Sequence, residues 1–197
     1  MTEENRFTYQ GVRPISWQDF HGICRALAAA AADYKPELIL AVGRGGFYPG
    51  TLLAHMLRVD ICPVRLTRRE ADVVVRPSPR WLLEPPAALV AGRRVLIVDE
   101  ISSSGETLTV VREKTAARGA RAVRSAVLYA HTPGVAVPDY VGLVSDELLL
   151  NPWDREVWVD GRFTFHPEYA AVLANQGLTP TADMRIQAPA FRLAKRP

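Results

Sequence analysis

The segment VLIVDEISSSGETL, residues 95–108, sets an apolar run against two adjacent acids, Asp99 and Glu100, and a small polar turn. That turn, Ser102, Ser103, Ser104, Gly105, Glu106 and Thr107, runs into a helical pattern. Backbone N–H groups at a turn entering a helix have no partner inside the helix, so they suit a phosphate. Gly105 permits close approach of the backbone, and Ser103, Ser104 and Thr107 supply hydroxyl donors. The two carboxylates would repel a phosphate and suit vicinal hydroxyls or a hydrated Mg²⁺ instead. Hydroxyls beside a phosphate describe a ribose 5-phosphate, although a plain solvated strand end reads the same way. A second turn, Gly43-Arg44-Gly45-Gly46, stops another apolar run.

Two commoner phosphate sites are excluded. No Gly-x-x-x-x-Gly-Lys-Ser/Thr is present, and Glu106 stands where its lysine would be. The spacing in GRGGFYPG does not match a dinucleotide fingerprint. His21, His55 and His166 share no metal-ligand spacing, and Cys24 and Cys62 form neither a metal motif nor a disulfide framework.

The elements that must hold these turns follow from periodicity. Apolar runs predict strands over 37–42, 61–66, 95–98, 122–130 and 139–144. Helical spacing places Trp17, Phe20, Cys24, Leu27, Ala28 and Ala31 on one buried stripe after Ser16. Further helices are predicted over 49–57, with Leu52, Leu53, Met56 and Leu57 inward, and over 107–118, closed by Gly119. Alternating strands and helices predict an open α/β sheet, whose ligands bind beyond the carboxyl ends of its strands. Residues 67–93 carry four prolines and a basic cluster, a pattern that fits a lid or a decorated hairpin. One core domain is expected over 1–160, followed by a partly mobile extension over 161–197 that ends in Arg192, Lys195 and Arg196.

With 48% hydrophobic and 23% charged residues, a folded core is expected rather than disorder. A net charge of +3 admits an anionic ligand without demanding nucleic acid. The polar start MTEENRFTYQ is unlike a signal peptide, and no apolar run approaches the roughly 20 residues of a membrane span. A cytoplasmic location is expected.

VLIVDEISSSGETL resembles the signature of type I phosphoribosyltransferases. LILAVGRGGFYPGTLLAHML is similar to the pyrophosphate loop of the bacterial xanthine–guanine enzymes, NPWD (151–154) to their Gln-Pro-Trp-Asp, and SWQDF to the start of their first helix. The resemblance covers roughly 15–154. It implies an open, mostly parallel sheet flanked by helices, with a flexible lid over 67–93 and a small hood. It also implies Mg²⁺-dependent transfer from 5-phosphoribosyl-1-pyrophosphate (PRPP) to a nitrogenous, purine-like base, with release of pyrophosphate. A catalytically silent PRPP-binding regulator is the alternative.

By position, the resemblance gives catalytic roles to Asp99, Glu100 and Arg44. It places Gly43, Arg44, Gly45 and Gly46 at the pyrophosphate and residues 102–107 at the 5-phosphate. Asp99 and Glu100, through water or the ribose hydroxyls, and Asp154 would serve the metal. His131, Leu148, Asn151, Trp153 and Asp154 would meet the base, and Arg68, Arg69, Arg76 and Arg80 would ride on the lid. The departures fall at the acceptor. Ser103 stands where 6-oxopurine enzymes carry Asp, His131 where they carry Lys, and Leu148 where they carry an aromatic ring. Adenine-type relatives have a small residue at position 103. A homodimer or homotetramer is also implied.

Overall fold

The structure, a computed structural model, describes residues 7–70, 73–74 and 78–186. Arg76 and the basic residues of the C-terminal tail lie outside them. The chain forms two compact units, one of residues 18–146 and one of residues 1–17 with 147–197.

The elements begin with β1 (Val12–Pro14), α1 (Trp17–Ala31), β2 (Leu38–Val42), α2 (Phe47–Leu57) and β3 (Asp60–Thr67). Short pieces follow: β4 (Arg69–Glu70), β5 (Val73–Val74), β6 (Arg80–Leu83) and α3 (Ala87–Val90). Then come β7 (Arg94–Ser102), α4 (Glu106–Ala117), β8 (Ala122–Ala130) and β9 (Tyr140–Val144). The last elements are β10 (Leu148–Leu150), β11 (Glu156–Val159), β12 (Arg162–Phe165) and α5 (Pro167–Asn175).

The 18–146 unit is built on a six-stranded sheet of order β6-β3-β2-β7-β8-β9. All neighbours are parallel except β6, which runs antiparallel to β3. The central strands read as continuous apolar runs because both faces are covered; every residue of β2 is buried. Leu40, Val64, Ile97, Leu108, Val111 and Val127 belong to one core cluster that joins the sheet to α4.

Three expectations change here. β7 does not end at residue 98. Its pairing with β8 continues from Asp99↔Val127 to Ser102↔Ala130, so both acids ride on the strand itself. Trp17 leaves the buried stripe of α1 and is 49% exposed, while Phe20, Cys24, Leu27, Ala28 and Ala31 are buried. The inward face of α2 is Pro49, Gly50, Leu53 and Ala54, whereas Leu52, Met56 and Leu57 are only half-buried. Gly50 explains the rotation: a Cβ there would lie 2.7 Å from Ala41 Cβ, so the helix meets β2 along small residues.

Residues 67–93 are more regular than their prolines suggest. Thr67↔Arg80 and Leu66↔Trp81 join β3 to β6, and Arg69↔Val74 joins β4 to β5, giving a hairpin arm before α3.

The second unit pairs β1 in parallel with β10 and folds β11 onto β12 as a hairpin. It has a small core of its own, in which Leu148, Leu150, Phe165 and Leu173 pack with Val12, Tyr169 and Met184, where the sequence suggested a single core. Among the described residues no helix is long and apolar enough to cross a membrane.

Candidate active site

The Gly43–Gly46 turn links β2 to α2. Gly43 takes φ +58°, a conformation that favours glycine, and its N–H donates to the Val64 carbonyl at 2.9 Å. Close packing, rather than conformation, bears on the next two glycines. A Cβ on Gly46 would overlap the Val42 carbonyl and lie 2.7 Å from that of Val98, and one on Gly45 would overlap the Glu100 carboxylate. The turn therefore lies directly on β7 at the acid pair. The adjacency of β2 and β7, with Ala41 opposite Val98, brings together two motifs more than fifty residues apart in the chain. Arg44 is exposed and lines an apolar cleft of about 620 Å³ with Phe20, Phe47, Tyr48, Leu52 and His55.

Asp99 is half-buried, and its carboxyl accepts a hydrogen bond from the Glu100 N–H at 2.7 Å. Desolvation raises its pKa to about 7 against the opposing effect of that hydrogen bond. Among the described residues no cation figures in that shift. Such a carboxyl suits hydroxyl donors or a hydrated cation, so the acid pair fits Mg²⁺ carried with ligand oxygens. Among the described residues no group of three or more His, Cys, Asp or Glu side chains could hold a metal by itself.

The phosphate turn divides into a buried root and an open tip. Ser102 is buried, and its hydroxyl donates to the Gly134 carbonyl at 2.9 Å. That bond braces the root of the turn. Ser103 and Ser104 are exposed. Gly105, at φ +84°, precedes the first residue of α4, and a Cβ there would overlap Val137. The Ser104 hydroxyl accepts from the Glu106 N–H at 3.4 Å, Thr107 is half-buried, and the Glu106 carboxylate lies 3.3 Å from Arg68 Nη1. Gly134 was not foreseen. Its Cα packs so closely on the turn that a Cβ would lie 2.7 Å from the Ser103 carbonyl. The Thr-Pro-Gly at 132–134 was its only sequence signal.

Two of the residues that the resemblance assigns to the base are buried. His131 is 1% exposed; its N–H donates to the Ser102 carbonyl and its Nδ1 lies 2.7 Å from the Ser145 carbonyl. The ring is thus tied to Ser145, while the backbone N–H of His131 holds the root of the turn at Ser102. Leu148 is 4% exposed inside the core of the second unit. The remaining three belong to that same unit. Asn151 is buried, and Trp153 is half-buried with its ring 6.2 Å from that of Trp17. Burial raises the pKa of Asp154, whose carboxylate accepts a hydrogen bond from the Tyr169 hydroxyl at 2.8 Å. Trp158, in β11 of the same unit, is 63% exposed and meets Phe163 edge to face.

Of the lid arginines, Arg68 is half-buried and Arg80 exposed on β6. The backbone of Arg69 lies in β4, and Arg76 is outside the described residues.

Residues 16–161 match the phosphoribosyl transferase domain family. The chain belongs to that family. It is 26% identical over 177 residues to a xanthine-guanine phosphoribosyltransferase of Nitratidesulfovibrio vulgaris, covering 85% of this chain and 94% of that one. Among solved structures, a purine phosphoribosyltransferase from Pyrococcus horikoshii aligns with a TM-score of 0.67 at 25% identity, covering 77% of this chain and 99% of that chain. The xanthine-guanine-hypoxanthine phosphoribosyltransferase of Helicobacter pylori shares the fold, with a TM-score of 0.61 at 19% identity over 74% of this chain and 93% of that chain.

Proposed function

We propose that this phosphoribosyltransferase-family protein transfers the 5-phosphoribosyl group of PRPP to a ring nitrogen of a purine-like base and releases pyrophosphate. The observation that carries the reading is the packing of Gly45 and Gly46 onto Val98, Asp99 and Glu100. It joins an anion-binding turn, an acid pair and a phosphate turn along adjacent strand ends, which is the order of groups along PRPP itself.

In this reading the turn at 103–107 receives the 5-phosphate through backbone N–H groups and the exposed hydroxyls of Ser103 and Ser104. Asp99 and Glu100 accept hydrogen bonds from the ribose hydroxyls, and Gly43 to Gly46, with Arg44 beside them, face the pyrophosphate. Breaking the bond at ribose C1 leaves positive charge on the sugar and negative charge on the departing pyrophosphate. Oriented N–H donors stabilise that growing anion without reorganising, while the base nitrogen forms the new bond to C1. Asp99 and Glu100 would help hold Mg²⁺ through water or the ribose hydroxyls, and the ion would supply further charge neutralisation. The arm at 67–93 serves as the lid that keeps water from C1. Ser103 gives the acceptor's proton a neutral hydroxyl rather than a carboxylate, which makes this position a poor general base.

We further propose that the enzyme works in the cytoplasm as a homodimer or homotetramer; light scattering tests its assembly. Pyrophosphate release from PRPP and Mg²⁺ across a panel of purines, pyrimidines and related heterocycles tests the activity. Turnover with at least one base is expected. A second reading is favoured by the inward fixing of His131 and Leu148: the protein binds PRPP and regulates without transfer. Tight PRPP binding with no turnover on any base selects that reading, and absence of PRPP binding removes both.

A further inference from the structure

Glu106 carries the one charge in the phosphate turn that opposes a phosphate. It opens α4 directly after Gly105, and its carboxylate meets Arg68 Nη1 at 3.3 Å. Arg68 is the residue between β3 and β4, where the first leg of the arm leaves the sheet. The second leg is fixed to the same helix: Glu84, just past β6, pairs with Lys114 at 3.0 Å and with Arg118 at 2.5 Å. The arm is thus pinned to α4 twice, once at the first turn and once near the last. The eight residues from Glu106 to Lys114 put these contacts about 12 Å apart along the helix. That spacing exceeds the screening length of about 8 Å at physiological salt, so a charge entering the turn acts on one contact and spares the other.

We propose that the Arg68–Glu106 pair is a phosphate-sensitive latch. It holds the first leg of the arm in place while the turn is empty and yields when a phosphate monoester enters, with Arg68 passing from carboxylate to phosphate. The proposal rests on the donor-site reading given above. The exchange follows from charge and geometry. A phosphate monoester carries nearly two negative charges at neutral pH and three acceptor oxygens, against one charge and two oxygens on Glu106. A guanidinium binds either group through its planar fork and goes to the more highly charged one. Both partners are partly exposed, at 35% and 40%, which keeps their pairing weak enough to exchange. The Glu84 contacts form the hinge that stays. Glu106 is then a positioning residue: it acts on substrate through Arg68 and the arm.

Ribose 5-phosphate is the probe. Its Kd, measured by calorimetry, is compared for the native protein, Glu106→Gln and Arg68→Gln, and amide exchange is followed over residues 60–68 and 78–83 with and without the probe. Glu106→Gln should tighten binding about two- to fivefold, the range open to an exposed charge pair, and Arg68→Gln should weaken it by a similar factor. Without ligand, Glu106→Gln should speed exchange in the arm, and ribose 5-phosphate should restore native protection, because Arg68 then holds the phosphate. Glu84→Gln should speed exchange whether or not ligand is present. Unchanged or weaker binding by Glu106→Gln, or native arm exchange in that variant without ligand, overturns the latch while leaving the donor site standing. No binding of ribose 5-phosphate by the native protein overturns the donor-site reading and the latch's trigger with it.

Discussion

The strand-end turns of the 18–146 unit and the NPWD segment of the other unit are both rich in polar groups, but they direct them oppositely. In the first, Gly45, Gly46, Gly105 and Gly134 let the backbone pack tightly, while Arg44, Ser103 and Ser104 remain exposed. In the second, polar groups turn inward. Asn151 is buried, Asp154 takes the Tyr169 hydroxyl, and the buried Arg155 donates to the carbonyls of Ile15 and Leu150. The difference separates turns that leave polar side chains exposed over closely packed backbone from a segment whose polar groups hold its own unit together. Two residues assigned to the base by resemblance, His131 in the first unit and Leu148 in the second, are both buried.

The largest test strikes the close packing of the first region. Gly46→Ala sets a methyl against two carbonyls of β2 and β7 and should cost about 3 kcal/mol or more, read from urea unfolding. A cost below about 1 kcal/mol would mean the turn does not need that contact with β7.

Asp99 offers a test by pH. Its folded pKa, raised to about 7, exceeds the unfolded value near 3.8, so the folded state holds the extra proton. The associated stability is complete below about pH 4 and is lost as pH rises through 7. Asp99→Asn should therefore gain stability over the native protein as pH rises from 5 to 8, while losing PRPP affinity. Native PRPP binding should strengthen over the same range, since the ionised carboxylate is the form that accepts the ribose hydroxyls. A pH-independent stability difference would contradict the desolvated carboxyl.

A smaller effect comes from the other region. Tyr169→Phe removes the donor to Asp154 and should cost about 1 kcal/mol. If Asp154 only braces its unit, KM for the base should stay unchanged, whereas a selective rise in that KM would return Asp154 to the base site. Ser103→Asp should move stability least, within about 0.5 kcal/mol, because the side chain is exposed. Its value is catalytic: new turnover of hypoxanthine or guanine would show that the acceptor side lacks only a proton acceptor.

What the sequence made legible was local. Alternating apolar strands, the two glycine turns and the acid pair each lie within fifteen residues, and their pattern sets their geometry. The extension of β7 to Ser102 was hidden because it depends on the length of β8. The hairpin at 67–83 was hidden because pairing such as Leu66↔Trp81 leaves no mark in periodicity. The burial of Leu148 was hidden because its partners include Val12 and Leu173, far away in the chain. Tyr169 and Gly134 carried no motif and acquire meaning only through what they touch.

The parallel pairing of Val12–Pro14 with Leu148–Leu150 sets a timetable for the nascent chain. Residues 18–146 form a contiguous block that can fold as it leaves the ribosome. The strand synthesised before that block must wait for a partner more than 130 residues later, a delay of about ten seconds at ordinary elongation rates. Through that interval β1 has an unsatisfied edge while its neighbour does not yet exist. Slowed elongation within 18–146 would lengthen its exposure to competing strands and to chaperones, so synonymous codon changes in the middle of the gene would act on the assembly of its two ends.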